Sequence, residues 1–288
     1  MHASEKTKNE VRKKRIAIIL GKDIDHKAVP ALKYLILHLN CLQSYFEYEF
    51  PPIFEDEFLD EISHGQEIKR QPFKKSLGAF MDRYKNYLEN MRVSYKLQKT
   101  EGLPEYYIFL NMIKFDDHYY LTGIPRVGVI ALGNWERLMA PPTLLEFILT
   151  TIGIESVYLL DGGEGLSHLG TKGCLFDFNP ELNNARYNTL QSFICDNCRN
   201  ELSGNYPGLC DQLVQVLEKK WMGNASDPSS PAGIIANFGY DLFYTKGITP
   251  TWKEYIMSIL RNEGIKELLK LIAAILLAAA LFFLGLKK

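Results

Sequence analysis

The sequence has almost no net charge. Its 33 Lys and Arg residues oppose 34 Asp and Glu residues, which leaves a formal charge of −1. Bulk charge therefore indicates no nucleic-acid partner. Only five of the 288 residues are cysteine, too few for a disulfide framework in a chain of this length. Two of them form the pair Cys195-x-x-Cys198, so the cysteines indicate a reducing compartment and metal binding.

The start of the chain lacks a long apolar run. Residues 1–14 are polar and basic, and no apolar segment of a secretory signal precedes Ile16. We predict that these residues form a disordered leader. The alternative is a basic arm that contacts anionic lipid.

The body of the chain has enough apolar residues, 47% of the total, to build a substantial core. Apolar or alternating segments predict strands over 15–24, 45–50, 105–113 and 127–135, with helical patterns between them. We predict an α+β or α/β domain over residues 15–222, with a mixed sheet of about four strands and flanking helices. A turn-rich segment over 223–248 is predicted to be a linker that docks the C-terminal tail onto this domain.

The C-terminal segment is apolar on all faces. No charged or strongly polar residue occurs from Leu271 to Leu286, a run of about 24 Å as a helix. Leu268 and Leu269 would extend it, with Lys270 reaching the head groups and Lys287 and Lys288 beyond the other end. We predict a single transmembrane helix over 267–288. The alternatives are a buried helix of a soluble domain and a helix that lies in the membrane interface.

Residues 249–266 have the spacing of an amphipathic helix next to the membrane. Trp252 and Tyr255 are expected at the interface with the bilayer. The small residues Ala274 and Ala278 allow close approach of two helices, so self-association through the tail is expected. This arrangement predicts a single-pass membrane protein with its N-terminal domain in the cytoplasm.

The cysteine cluster predicts a zinc site. A CxxC turn places two thiolates within reach of one tetrahedral Zn²⁺. Cys174 lies upstream of the pair, and His168 precedes Cys174 by six residues. The set His168, Cys174, Cys195 and Cys198 would form a closed site of structural type. A redox-active CxxC pair and ordinary buried thiols remain as alternatives, with Cys210 a spare ligand and Cys41 a packed residue.

This part of the sequence resembles the archaemetzincin type of zinc peptidase. The pattern of that family is HExxHxxGxxHC-x4-CxM followed by CxxC. His168 matches the third catalytic histidine, Cys174 matches a structural cysteine, and the CDNC segment over 195–198 matches the closing pair. Leu169 replaces the first structural cysteine, and Phe176 replaces the methionine.

The resemblance stops before His168. The preceding residues read YLLDGGEGLS, so neither of the first two catalytic histidines is present. The resemblance therefore implies the fold of the family with a lost peptidase site. It also implies that His168 can take the place left by Leu169 and complete the structural zinc site.

Three further segments contain residue types that could form a site. Asn134, Glu136 and Arg137 stand at the end of a predicted strand, where ligands commonly bind. The DGGEG segment over 161–165 lacks the order of a phosphate-binding loop and is predicted to be a turn. Asp116, Asp117 and His118 could bind metal but are predicted to form a solvated hairpin tip.

Two functions follow from these patterns. The first is a non-enzymatic, membrane-anchored sensor, effector or adaptor with a structural zinc site, activated by a small molecule or a protein. A membrane-perturbing effector of bacterial stress or antiviral defence would have this layout. The second is a membrane-tethered, metal-dependent hydrolase with a rearranged site. The missing histidines favour the non-enzymatic role.

Overall fold

The computed structural model of the protein describes residues 13–24, 28–62, 67–97, 102–133, 135, 140–160, 166–179, 182–240, 252–253, 256–257 and 264–283. The strands in these ranges are β1 (Lys14–Leu20), β2 (Phe46–Glu49), β3 (Glu67–Ile68), β4 (Tyr106–Asn111), β5 (Lys114–Phe115), β6 (Leu121–Ile124) and β7 (Val127–Ala131). The helices are α1 (Ala28–Leu42), α2 (Glu57–Glu61), α3 (Arg70–Ser94), α4 (Leu144–Leu160), α5 (Leu182–Gln191), α6 (Asp196–Asn205), α7 (Leu209–Leu217), α8 (Pro231–Asn237) and α9 (Gly264–Phe283).

Five strands form a mixed sheet in the order β2-β1-β4-β7-β6. The first four strands are parallel, and β6 is antiparallel to β7 at the edge. Strands β3 and β5 form a separate parallel pair. Helices lie between β1 and β2 and between β2 and β4, whereas β5 and β6 lie between β4 and β7. Helices pack on the sheet, which is the arrangement of a mixed α/β fold.

Apolar cores cover both faces of the sheet. One strand contributes to both cores because successive strand residues point to opposite sides. In β1, Ile16 and Ile18 pack into a core with α1, α4 and α7, whereas Ala17 and Ile19 pack into a second core with α2 and α3. The central strands therefore have apolar residues on both faces, and every residue of β7 is buried.

Helix α4 is the central helix of the first core. Its start is fixed by a capping box: the hydroxyl of Thr143 accepts from the backbone N–H of Glu146 at 3.2 Å. The carboxylate of Glu146 accepts in turn from the backbone N–H of Thr143 at 2.8 Å. From Leu144 to Val157 almost every side chain is buried, so a polar residue in this helix is held away from water.

The prediction of about four strands is wrong, because the main sheet has five. The additional strand is β6, which has only four residues and includes Gly123. A tight turn at Pro125 and Arg126 folds β6 back onto β7, with Arg126 in the left-handed region at φ 67°. The glycine is required there, since a Cβ on Gly123 would lie 2.6 Å from the carbonyl oxygen of Val127.

The prediction of a transmembrane helix over 267–288 is also wrong. Among the described residues, no helix combines the length and the apolar character that crossing a membrane requires. The reason lies in the first two turns of α9, which contain Lys266, Glu267 and Lys270. The apolar part of this helix, 271–283, spans only about 20 Å of the ~30 Å hydrocarbon layer. The prediction of a single-pass membrane protein rested on this helix and is therefore wrong. The predicted membrane-perturbing role loses its support for the same reason.

Candidate metal centre and adjacent cavity

The structure brings the four predicted zinc ligands together. One ligand atom from each of His168, Cys174, Cys195 and Cys198 lies within 4.8 Å of the other three. The three cysteines are buried and His168 is partly buried. All three thiols are free, so no disulfide competes with metal binding. The four residues lie together and could bind zinc.

The spacing suits a tetrahedral ion. With Zn–S near 2.3 Å and Zn–N near 2.0 Å, sulfur and nitrogen ligands on one zinc lie about 3.5 Å apart. The Sγ of Cys195 lies 3.5 Å from the Nε2 of His168. Sulfur and imidazole are also the ligands of structural zinc sites. The donor set therefore fits zinc in both chemistry and distance.

The start of α6 positions the CxxC pair. Cys195 is the N-cap of this helix and Cys198 lies in its first turn, where backbone N–H groups favour negative charge on sulfur. Burial alone would raise the pKa of Cys195, but hydrogen bonds from the backbone of Cys198 and from Cys198, Cys174 and His168 side chains lower it to about 7. Burial raises the pKa of Cys174 and of Cys198. The thiolate form is thus favoured only for Cys195 in the metal-free protein. A bound cation is needed to keep all three cysteines deprotonated.

A short loop carries the other two ligands. The backbone of His168 pairs with Phe176 and Phe178, with N–O distances of 3.3 and 3.0 Å. The N–H of Leu175 donates to the carbonyl of Phe193 at 2.8 Å. The first two bonds close the loop over 168–178, and the third joins this loop to the segment before Cys195. The ligands from two distant parts of the sequence are therefore brought together by the backbone.

Asp177 is a functional candidate that sequence reasoning missed. Its Oδ1 lies 3.0 Å from the Nδ1 of His168. Its Oδ2 accepts from the backbone N–H groups of Lys172 at 2.8 Å and Cys174 at 3.0 Å. The Nδ1 of His168 donates to the carbonyl of Gly170 at 3.1 Å, and the nearby carboxylate of Asp177 favours a proton on this nitrogen. An imidazole protonated at Nδ1 presents the lone pair of Nε2 to the cysteines. Carboxylates commonly orient metal-binding histidines in this way.

The remaining predicted residues are either outside the described residues or outside the group of four candidate ligands. Asn134, Glu136 and Arg137 fall outside the described residues, as do Tyr255, Lys287, Lys288 and the 161–165 segment. Trp252 is 80% exposed and Lys270 is exposed. Asp117 forms an ion pair with Arg70 at 2.6 Å, in a turn after β5. Cys210 is buried outside the metal-ligand group, and Cys41 is exposed rather than packed.

A large cavity adjoins the metal site. Its volume is about 830 Å³, and its walls come from α3, β6, the C-terminal half of α4 and the loop that carries Asp177. Asp177 thus lines the cavity and contacts His168. Glu155 of α4 also lines it and is 8% exposed. Burial raises the pKa of Glu155 to about 8, so this carboxyl is mostly protonated at neutral pH.

The sequence contained a signal for Glu155. It is the only charged residue in the apolar stretch from Phe147 to Leu160 of α4, and a charge is rarely buried without a function or a partner. Residues 154–158 read IESVY. Glu155 stands where an HExxH motif has its glutamate, but Ile154 and Tyr158 stand where the motif has its first and second histidine. This helix therefore supplies no metal ligand in that pattern.

Comparisons with known proteins give one weak likeness. No family model matches the sequence, and a search of curated proteins finds no match. Among solved structures, the chain is similar to an archaemetzincin from Methanopyrus kandleri, with 10% identity and a TM-score of 0.37. The match covers 72% of this chain and 97% of that one. The chain thus resembles archaemetzincin only weakly and in part, in line with the degenerate motif.

Proposed function

We propose that the protein is a non-enzymatic sensor or adaptor domain in which structural zinc holds the wall of a binding cavity. The supporting observation is that four candidate ligand atoms lie within 4.8 Å of one another. Four protein ligands complete the tetrahedron of Zn²⁺, whereas catalytic zinc keeps one position for water or substrate. The predicted role of the site is therefore to hold the loop over 168–178 against α6.

The environment of the ligands supports the same role. The three cysteines are at most 7% exposed, so substrate has little access to the sulfur side of the site. Asp177 faces the imidazole of His168 and two backbone N–H groups, so it is occupied in shaping the loop. A metal-dependent hydrolase is the rival function, and it requires one of the four ligands to be replaced by water.

Metal content tests the proposal. We expect one equivalent of zinc per chain, measured by mass spectrometry of the native protein. Cobalt substitution should give the absorption of a tetrahedral ion with thiolate-to-metal charge transfer. Cys174→Ala and Cys198→Ala should lose the ion and, with it, thermal stability. Cys210→Ala is the matched control, since this buried thiol lies outside the ligand group, and it should retain full zinc content.

The His168→Ala variant separates the two functions. A structural site predicts that it binds zinc more weakly and melts at lower temperature, and that the parent protein hydrolyses no peptide. A folded, zinc-loaded variant that has lost a peptidase activity present in the parent would support the hydrolase instead. A parent protein without bound zinc after purification in zinc-containing medium would refute the proposed zinc site.

A further inference from the structure

The cavity beside the zinc site has the size of a small-molecule site. Its volume of about 830 Å³ falls within the range of ~300–1,000 Å³ that is usual for ligand pockets. Aromatic side chains form much of its wall, including Tyr119, Tyr120, Tyr158 and Phe178. Such rings favour a ligand with an apolar or aromatic body.

Glu155 supplies a polar group inside this apolar wall. The side chain is more than nine-tenths buried, and no described residue forms a hydrogen bond with its carboxyl. A glycine makes room for it: a Cβ on Gly128 would lie 2.1 Å from Glu155 Oε1. A protonated carboxyl in this position can donate one hydrogen bond and accept another. The fold thus maintains a buried polar group with no partner of its own.

The wall contains two more polar atoms without partners. The Oγ1 of Thr122 and the Nδ2 of Asn179 are buried and form no hydrogen bond within the described residues, and both residues line the cavity. Most buried polar atoms in native proteins are satisfied, and exceptions call for an explanation. Their position around one cavity points to polar groups that a ligand supplies.

The lining of the cavity includes three basic residues. Lys74 is partly buried, Arg126 is exposed, and neither forms an ion pair with any described residue. The third lining cation, Arg70, is paired with Asp117. Of the two acidic lining residues, Asp177 faces His168 and Glu155 is mostly protonated at neutral pH. Within the described part of the chain, the lining therefore carries two unpaired positive charges and a neutral hydrogen-bond donor.

We propose that the cavity binds an amphipathic organic anion. Its acidic group would pair with Lys74 and Arg126, its apolar body would pack on the aromatic wall, and a polar atom at its far end would hydrogen-bond with Glu155. The proposal rests on the proposed function, because the loop fixed by zinc forms one wall of the cavity.

Binding of a fluorescent anion tests the charge requirement. The probe is 8-anilinonaphthalene-1-sulfonate, titrated into the full-length, zinc-loaded protein at pH 7. We expect a single saturable site, and the Lys74→Gln/Arg126→Gln double variant should bind about tenfold more weakly. The neutral analogue N-phenyl-1-naphthylamine should bind the parent and the double variant equally, and more weakly than the sulfonate. Lys75→Gln is the matched control, since Lys75 neighbours Lys74 but does not line the cavity.

Competition tests the role of Glu155. Both 2-naphthoate and 6-hydroxy-2-naphthoate should displace the probe, and the hydroxyl should improve competition by about fivefold through its hydrogen bond with Glu155. The advantage should vanish in Glu155→Leu. This variant removes an unpartnered buried acid, so we expect it to fold, as checked by circular dichroism and zinc content.

Specific outcomes would overturn the proposal. The proposed anion site is wrong if the double variant binds the sulfonate as tightly as the parent does, or if the neutral analogue binds as tightly as the sulfonate. The assignment to Glu155 is wrong if the hydroxyl advantage persists in Glu155→Leu. Zinc content is measured on the same samples, so a zinc-loaded protein without the anion site rejects this inference alone. A zinc-free protein that still binds the anion rejects the zinc proposal alone.

Discussion

The imidazole of His168 lies between a buried carboxylate and a cysteine sulfur. Its Nδ1 is 3.0 Å from Asp177 Oδ1, and its Nε2 is 3.5 Å from Cys195 Sγ. The carboxylate side chain is almost completely buried, at 1% exposure, so its charge is stabilised by the donors around it rather than by water. This geometry fixes the orientation of the imidazole before metal arrives.

We predict that Asp177→Asn weakens zinc binding by about 10- to 100-fold, the usual effect of removing a carboxylate that orients a metal-binding histidine. An amide has a single acceptor oxygen, so it cannot serve both His168 and the backbone N–H groups of Lys172 and Cys174. Competition with a chromophoric chelator measures the affinity. Asp211→Asn is the control, since Asp211 is 84% exposed and forms an ion pair with Arg199 away from the cysteines. Equal affinities for the two variants would exclude this role of Asp177.

Removal of zinc should loosen one part of the fold and leave the sheet intact. Hydrogen exchange of the chelator-treated protein should increase over 166–179 and over the start of α6, because the ligands connect these two segments. Strands β1, β4 and β7 lie at the centre of the sheet between both cores and should keep their protection. Uniform loss of protection would show instead that the ion is required for the whole fold.

The proximity of the four candidate ligands was predictable because their signals in the sequence are local. Cys195 and Cys198 are three residues apart on one helical turn, and the spacing to Cys174 and His168 matched a known zinc pattern. Asp177 carried no such signal, since its contact with His168 depends on backbone pairing within the loop. The role of Glu155 depends on Gly128, which lies in a different element and makes space for its carboxyl.

The fold was predictable where apolar runs were long. Strands β1, β4 and β7 correspond to continuous apolar segments, whereas β6 has four residues and is held mainly by its turn. The prediction of a transmembrane helix was wrong because it rested on an apolar run that continues to Leu286 in the sequence. The helix in the structure is Gly264–Phe283, which includes three charged residues and shortens the apolar span.

We predict that Gly128→Ala destabilises the protein by about 1–3 kcal/mol. The added methyl group would lie 2.1 Å from Glu155 Oε1 and 2.5 Å from its Cγ, so the carboxyl must move. The same substitution in a Glu155→Ala background should cost clearly less, because the clashing atoms are absent. Urea denaturation measures both costs. Gly204→Ala is the matched control: nothing lies within 4 Å of its added Cβ, so it should be neutral or slightly stabilising.

The titration of Glu155 should make stability depend on pH. Burial raises the pKa of Glu155 in the folded state to about 8, well above the usual value for a glutamate, so the folded state holds this proton more tightly than the unfolded state does. Its contribution to stability is fully present below the unfolded pKa and is lost as pH rises through the folded pKa. The nearby phenols do not interfere, since burial raises the pKa of Tyr158 to about 12 and also raises that of Tyr120.

Glu155→Gln isolates this contribution because glutamine keeps the shape and does not titrate. Between pH 6 and pH 8, the free energy of unfolding of the parent should fall by about 2 kcal/mol relative to the variant. Denaturation of both zinc-loaded proteins at each pH measures the difference. Titration of the zinc ligands changes the free energy of unfolding of both proteins equally, so it cancels in the difference between them. Parallel curves would mean that Glu155 ionises near its usual pKa, and then the cavity would present a carboxylate rather than a neutral donor.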